Sequence, residues 1–199
     1  MSGAERREGG AIDNSGAPRG QSRIIIGASA LAATMILPLV SLAAQTPTEP
    51  EVKAAAVYNF AKFVEWPPEA LANPETPMII GLFGKDPIAS EIERTFKGKT
   101  VNGRRLVVLR FSNVQDFAYC HILFIGASEQ IGISKFLPGI RNTGILTVSE
   151  AEGFARRGGV ARIGFRDNRL EIEINQSAAE RAGLKISSKL LKVAHVIRD

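Results

Sequence analysis

The chain holds one cysteine and two histidines in 199 residues, and these scarcities exclude a good deal. A single thiol, Cys120, cannot close an intramolecular disulfide. It precedes the apolar run Ile122-Leu123-Phe124-Ile125, where a free cysteine is expected to be a small buried hydrophobe, with an intermolecular bridge as the alternative. His121 enters the same run and reads as a hydrogen-bonded structural imidazole. His195 is placed in the last turn of a terminal helix, where a cation suits the dipole. No Cys/His/Asp cluster has metal-ligand spacing, so no metal and no cofactor are expected. The phosphate-cradling Gly-x-x-x-x-Gly-Lys-Ser/Thr and the dinucleotide Gly-x-Gly-x-x-Gly are both missing. So are Gly-x-Ser-x-Gly and Ser-x-x-Lys, which would place a nucleophilic serine. Gly81-Leu82-Phe83-Gly84 reads as a strand end and tight turn. No catalytic residue emerges, and the expectation is a protein that is not an enzyme.

Charge of one sign is also scarce. There are 25 Lys+Arg against 20 Asp+Glu, a net charge of +5, and no basic block or aromatic-interleaved basic patch of the kind nucleic acid requires. The one long hydrophobic run is Ile24 to Ala44, without a single charge, after a polar, Gly-rich lead ending in Arg19 and Arg23. Basic flank, apolar run and small residues are the parts of a secretory signal. Ser41 and Ala43 suit cleavage after Ala43, with Ala44 a near alternative. An uncleaved anchor is the competing reading, since about 20 apolar residues span a bilayer, but Pro38 and the Ala-Ala-Gln ending favour cleavage. Residues 1–43 are thus assigned to lead and signal peptide, 44–50 to a tether, and 51–199 to one domain outside the cytoplasm. That length buries an ordinary core, and beyond residue 43 the net charge is +4.

Within the domain, strands alternate with helices. Met78–Gly84 and His121–Ile125 are continuous apolar runs, as strands buried on both faces are. Leu106–Phe111 and Gly144–Val148 are further strands. Helices are predicted over Ile88–Phe96, Val114–Ala118 and Ser128–Leu137, and from Glu150 with Ser149 as N-cap. Val160–Arg166 and Arg169–Asn175 flank Asp167-Asn168, a two-residue hairpin turn. Pairing outward sets Phe165 opposite Leu170, Ile163 opposite Ile172 and Ala161 opposite Ile174 on one face. Arg162 then meets Glu173, and Gly164 meets Glu171, on the other. Helices over Gln176–Ala182 and Ser187–Val196 follow. The predicted fold is a three-layer α/β sandwich, with a mostly parallel central sheet, helices on both faces and an antiparallel edge hairpin.

The first predicted helix runs from Val52 to Trp66 and stops at Pro67-Pro68. At 100° per residue Ala56, Val57, Phe60, Phe63 and Val64 share an apolar side. Tyr58, Asn59, Lys62, Glu65 and Trp66 gather opposite, either as a solvated face or as a surface for a second chain.

Three segments resemble one family taken together: Val52-Lys53-Ala54-Ala55 with Tyr58 to Pro67, then Cys120-His121-Ile122-Leu123-Phe124-Ile125, then Ile172 to Asn175 with Ala182 to Leu191. The pattern is similar to that of the YfiR family, from about Glu51 onward. The resemblance implies a helix-flanked α/β sandwich and a periplasmic, dimeric repressor. Its implied partner is the extracytoplasmic sensor domain of an inner-membrane diguanylate cyclase (YfiN-type), held inactive so that cyclic di-GMP and biofilm formation fall. Characterised members carry disulfides tied to activity; with Cys120 alone, that redox behaviour is not inherited. The expected partner or dimer contact is the Tyr58/Asn59/Lys62/Glu65/Trp66 face or the start of the last predicted helix, Ser187/Ser188/Lys189, where the serines could equally be simple helix caps. The alternative is a small-molecule sensor or carrier, its ligand in the crevice at the carboxyl ends of the parallel strands, lined by Gly84, Lys85, Gly126 and Ser128.

Overall fold

A computed structural model describes residues 46–129, 131–141 and 143–198. The polar lead, the signal segment with its cleavage site, and the first two tether residues lie outside them. Thr48 starts the first helix, its N–H and hydroxyl both donating to the Glu51 carboxylate, so the last two tether residues are already helical. The order is α1 (Glu49–Phe63), β1 (Val64–Glu65), β2 (Met78–Phe83), α2 (Pro87–Phe96), β3 (Thr100–Val101), β4 (Arg104–Phe111) and β5 (Ile122–Ile125). Then come α3 (Ile133–Phe136), β6 (Leu146–Ser149), β7 (Ala161–Arg166), β8 (Arg169–Asn175), α4 (Gln176–Arg181), β9 (Lys185–Ile186), α5 (Ser188–Leu191) and β10 (His195–Ile197).

Eight strands form one sheet in the order β10-β8-β7-β6-β5-β2-β4-β3. β4, β2, β5, β6 and β7 run parallel; β3 is antiparallel to β4, and β8 is antiparallel to β7. The alternation of side chains across β2 divides the core in two. Met78, Ile80 and Leu82 join α1, α2 and Leu190 on one face, with Phe60, Phe96 and Phe124 fully buried. Ile79 and Phe83 join Phe117, Leu137 and Phe154 on the other, under short 3-10 turns and α3. Each such large side chain contributes about 1.5–3 kcal/mol on burial. The result is the expected three-layer α/β arrangement, with a small antiparallel pair, β1 with β9, beside it.

The hairpin register is as predicted, from Phe165↔Leu170 to Ala161↔Ile174 on one face and Arg162↔Glu173 and Gly164↔Glu171 on the other. Asp167 and Asn168 have φ of +49° and +60°, the type I′ geometry that fits the twist of a hairpin. Outside it lies one more strand, β10, parallel to β8 through Val196↔Ile174.

Four predicted elements differ. α1 ends at Phe63, because Val64 and Glu65 pair with Ile186 and Lys185; Glu65 and Trp66 therefore leave the helical face assigned to them. The helix expected over Ser187–Val196 is only α5, after which the chain extends into β10, and His195 is a strand residue. Ser149 caps no helix: its hydroxyl donates to the Ile125 carbonyl at 2.8 Å and accepts from the Ala151 N–H. Ser128–Leu137 breaks into a 3-10 turn and the four residues of α3. No helix among the described residues is long and apolar enough to cross a membrane.

Candidate functional site: a groove between two helices and the outer hairpin strand

α1, α5 and β8 enclose an open groove of about 490 Å³. Its floor is Leu170 and Ile172, the outer end of the apolar hairpin face. Val52, Ala55, Ala56 and Phe63 form the α1 wall, Leu190 and Val193 the opposite wall, and Asn59 and Lys189 the polar rim. The groove exists because α5 is short: four residues of helix cannot cover the hairpin, and the chain turns away at Val193, which is 71% exposed. Such a site buries an apolar anchor and orients it with a few polar groups.

The two surfaces read from the sequence meet here, in part. Asn59 and Lys189 border the groove, one from each surface. Ser187 sets the junction: its N–H donates to the Phe63 carbonyl at 2.9 Å and its hydroxyl accepts from the Lys189 N–H at 3.2 Å. Ser188 is exposed beside it. Lys62 and Glu65 are exposed as well but do not line the groove, Glu65 standing opposite Lys185 across the β1–β9 pair. Tyr58 and Trp66 are half-buried and engaged internally. Tyr58 meets Phe96 edge-on at 5.6 Å, donates its hydroxyl to the Thr100 carbonyl, and has the Lys62 and Lys99 ammonium groups over its ring. Trp66 donates to the His121 carbonyl. Leu170, Ile172 and Val193 were not among the nominated residues; the alternation in β8 is the signal that places the first two on one surface.

The crevice residues also come together, at the point between β2 and β5 where the sheet's connections diverge. Three backbone N–H groups there are already engaged within the protein. The Lys85 N–H donates to the Ser128 hydroxyl at 2.8 Å, the Ala127 N–H to Asp86 at 3.0 Å, and the Gly126 N–H to the Phe83 carbonyl at 2.8 Å. Gly84 has φ +86°, and a Cβ there would stand 2.5 Å from Glu129 and 2.7 Å from the Ser128 hydroxyl. Only glycine lets these two loops close this tightly.

Beside them, Lys53 reaches from α1 to both Glu49 and Glu150. Burial pulls the Lys53 ammonium down, but its hydrogen bonds to Glu150 and Glu49 outweigh that and hold it above the usual lysine range. Burial raises Glu150, with Asp86 adding to the rise and Lys53 opposing it. This is a structural ion pair, in which each charge needs the other. Among the described residues no group of three or more His, Cys, Asp or Glu is arranged to hold a metal.

Comparison with known proteins agrees with this architecture. A solved structure of a conserved domain protein from Vibrio cholerae O1 biovar El Tor superposes with a TM-score of 0.50 at 14% identity, covering 76% of this chain. The chain spans 60% of that protein's length, and the likeness is one of fold. No curated protein matches the sequence. The profile described as YfiR/HmsC-like matches residues 50–195, from the start of α1 to the start of β10, and the chain belongs to that family.

Proposed function

We propose that this protein binds the extracytoplasmic sensor domain of an inner-membrane diguanylate cyclase through the α1–α5–β8 groove and holds it inactive. Cyclic di-GMP and biofilm formation fall as a result. The family is one of periplasmic regulators of diguanylate cyclase signalling, and regulation of this kind needs no chemistry, only tighter binding to one state of the target. The observation that carries the reading is the groove itself: apolar, open, and bounded by Asn59 and Lys189 from the two surfaces the sequence marks for contact. Export by a cleaved signal peptide is part of the proposal. The small-ligand reading has less support, because the Lys85, Ala127 and Gly126 N–H groups at the crevice are already taken by Ser128, Asp86 and Phe83.

The test is intracellular cyclic di-GMP in the native host, with the gene deleted and then restored as wild type or as Val193→Glu. Deletion is expected to raise the level and wild type to lower it again. Val193→Glu, an exposed substitution that leaves folding within about 0.5 kcal/mol, is expected to restore little repression. A deletion without effect while the protein is expressed would overturn the repressor reading. Full repression by Val193→Glu would move the contact away from the groove.

A further inference from the structure

β8 leaves part of its outer edge bare, directly beside the groove. β10 pairs with it only from Glu173 onward, through His195↔Glu173, Val196↔Ile174 and Ile197↔Asn175. The pairing with β7 fixes which backbone groups face out. The Asn175 N–H donates to the Val160 carbonyl at 2.8 Å, so the odd-numbered residues of β8 bond to β7 while Leu170, Ile172 and Ile174 face away from it. β10 covers Ile174. Among the described residues nothing engages the Leu170 N–H and C=O or the Ile172 N–H.

Open space lies on both sides of this edge. One side is the apolar groove; the other is a second crevice of about 460 Å³, and Leu170, Ile172 and Val193 border both. The second crevice is polar. Glu152, Glu171 and Glu173 meet Arg162 and Arg166 there, one carboxylate in excess. Arg162 is buried, and Glu152 accepts from its Nη2 at 2.5 Å. Gly164 makes room for that guanidinium, since a Cβ there would stand 2.9 Å from Nη2. Arg166 reaches Glu171 at 3.5 Å. Among the described residues Glu173 is left with no cation nearer than Arg162, at 3.8 Å.

We infer that the partner engages this site with an extended segment that adds to the bare edge of β8, its apolar side chains in the groove and its basic ones in the polar crevice. In either strand direction the Leu170 N–H and C=O and the Ile172 N–H all gain partners. Successive side chains of such a segment point to opposite faces, and here each face has a crevice to receive them. Those on the Leu170 side meet Phe63 and Leu190; those on the Glu171 side meet the excess carboxylate, Glu173, which favours Lys or Arg. A helix laid in the groove would fill one crevice and leave the edge unbonded. The inference rests on the groove being the partner contact and specifies what lies in it: a strand alternating apolar and basic residues.

The experiment is amide hydrogen exchange of the folded protein, read residue by residue by NMR, with a short capped peptide alternating lysine with leucine and valine at up to roughly millimolar. The peptide is expected to bind and to slow exchange at Leu170 and Ile172 at least tenfold. Methylating the nitrogens of the peptide residues that face the edge is expected to weaken binding at least tenfold, and glutamate in place of lysine to do the same. Glu171→Lys, with an unchanged circular dichroism spectrum, is expected to reverse the preference between the lysine and glutamate peptides. No binding would overturn the inference. So would binding that leaves Leu170 and Ile172 unprotected, protection confined to another edge such as β4, or indifference to methylation. The groove reading fails separately, by full repression with Val193→Glu in the host. Loss of repression with Val193→Glu, beside a peptide that leaves the edge unprotected, would keep the groove and remove the strand.

Discussion

Trp66 gives its indole N–H to the backbone carbonyl of His121 at 3.2 Å, and the two rings meet edge-on with centres 6.5 Å apart. The same carbonyl accepts the Leu146 N–H, and the His121 N–H reaches the Ile79 carbonyl, each at 2.8 Å. The imidazole adds two more links: Nδ1 accepts from the Ile79 N–H at 3.0 Å, and Nε2 stands 3.1 Å from the Ala70 carbonyl. An acceptor at Nδ1 and a donor at Nε2 define one neutral tautomer. One residue thus ties the starts of β2, β5 and β6 to the chain leaving α1.

Acid should therefore loosen the fold through His121. Burial, chiefly, lowers its pKa below the ordinary 6.5. In the pH range between the ordinary and the folded values the unfolded chain binds the proton more readily, so stability is full above pH 6.5 and is lost as pH falls through the lower folded value. His121→Asn, which keeps a side-chain acceptor but cannot titrate, is expected to cost about 1–2 kcal/mol at pH 8. It should also flatten the acid branch. Urea unfolding at a series of pH values measures both; an unchanged acid branch would remove His121 as its source.

The Lys53 ion pair predicts that a second substitution repairs most of the damage done by the first. Lys53→Met leaves Glu150, whose side chain is only 19% exposed, without its cation, and should cost about 2–4 kcal/mol. Adding Glu150→Leu removes the stranded carboxylate and is expected to recover most of that. Purely additive losses in a thermal double-mutant cycle would show that the two side chains do not act as a pair.

Cys120 should be silent in the native protein. Burial pushes its thiol up to about 12, and its Sγ donates to the Phe117 carbonyl at 3.2 Å. Thiolate, the reactive form, is then scarce at neutral pH. Labelling by a thiol reagent at pH 8 is expected to follow the opening of the fold and to rise in urea with the unfolding transition. Rapid labelling without denaturant would place the sulfur at the surface and reopen the intermolecular bridge.

Local chemistry explains which parts of the structure were legible in the sequence. The Asp167-Asn168 turn leaves one register in which Arg162 and Glu173 share a face, and the β7–β8 pairing follows residue by residue. The apolar runs of β2 and β5 can only be doubly covered strands. Leu190, Val193, Ala194 and Val196 are less decisive, because their spacing serves a helix as well as a turn leading into a strand; β8 decides by offering Ile174 a partner. The β3–β4 hairpin was missed although Asn102-Gly103 is a strong turn signal, because a two-residue strand shows no periodicity. The groove is the hardest to foresee: Asn59, Leu170 and Val193 converge only through the packing of α1 and α5 onto the hairpin.

That packing has a consequence for timing. Leu190 and Val193, the groove's outer wall, follow every strand of the large sheet except β10 in the order of synthesis. A chain still being synthesised can complete β2, β4, β5, β6 and the β7–β8 hairpin while Leu170 and Ile172 lie bare. The groove is thus the last part of this fold to be completed, since its outer wall is withheld until nearly the whole described chain has been made.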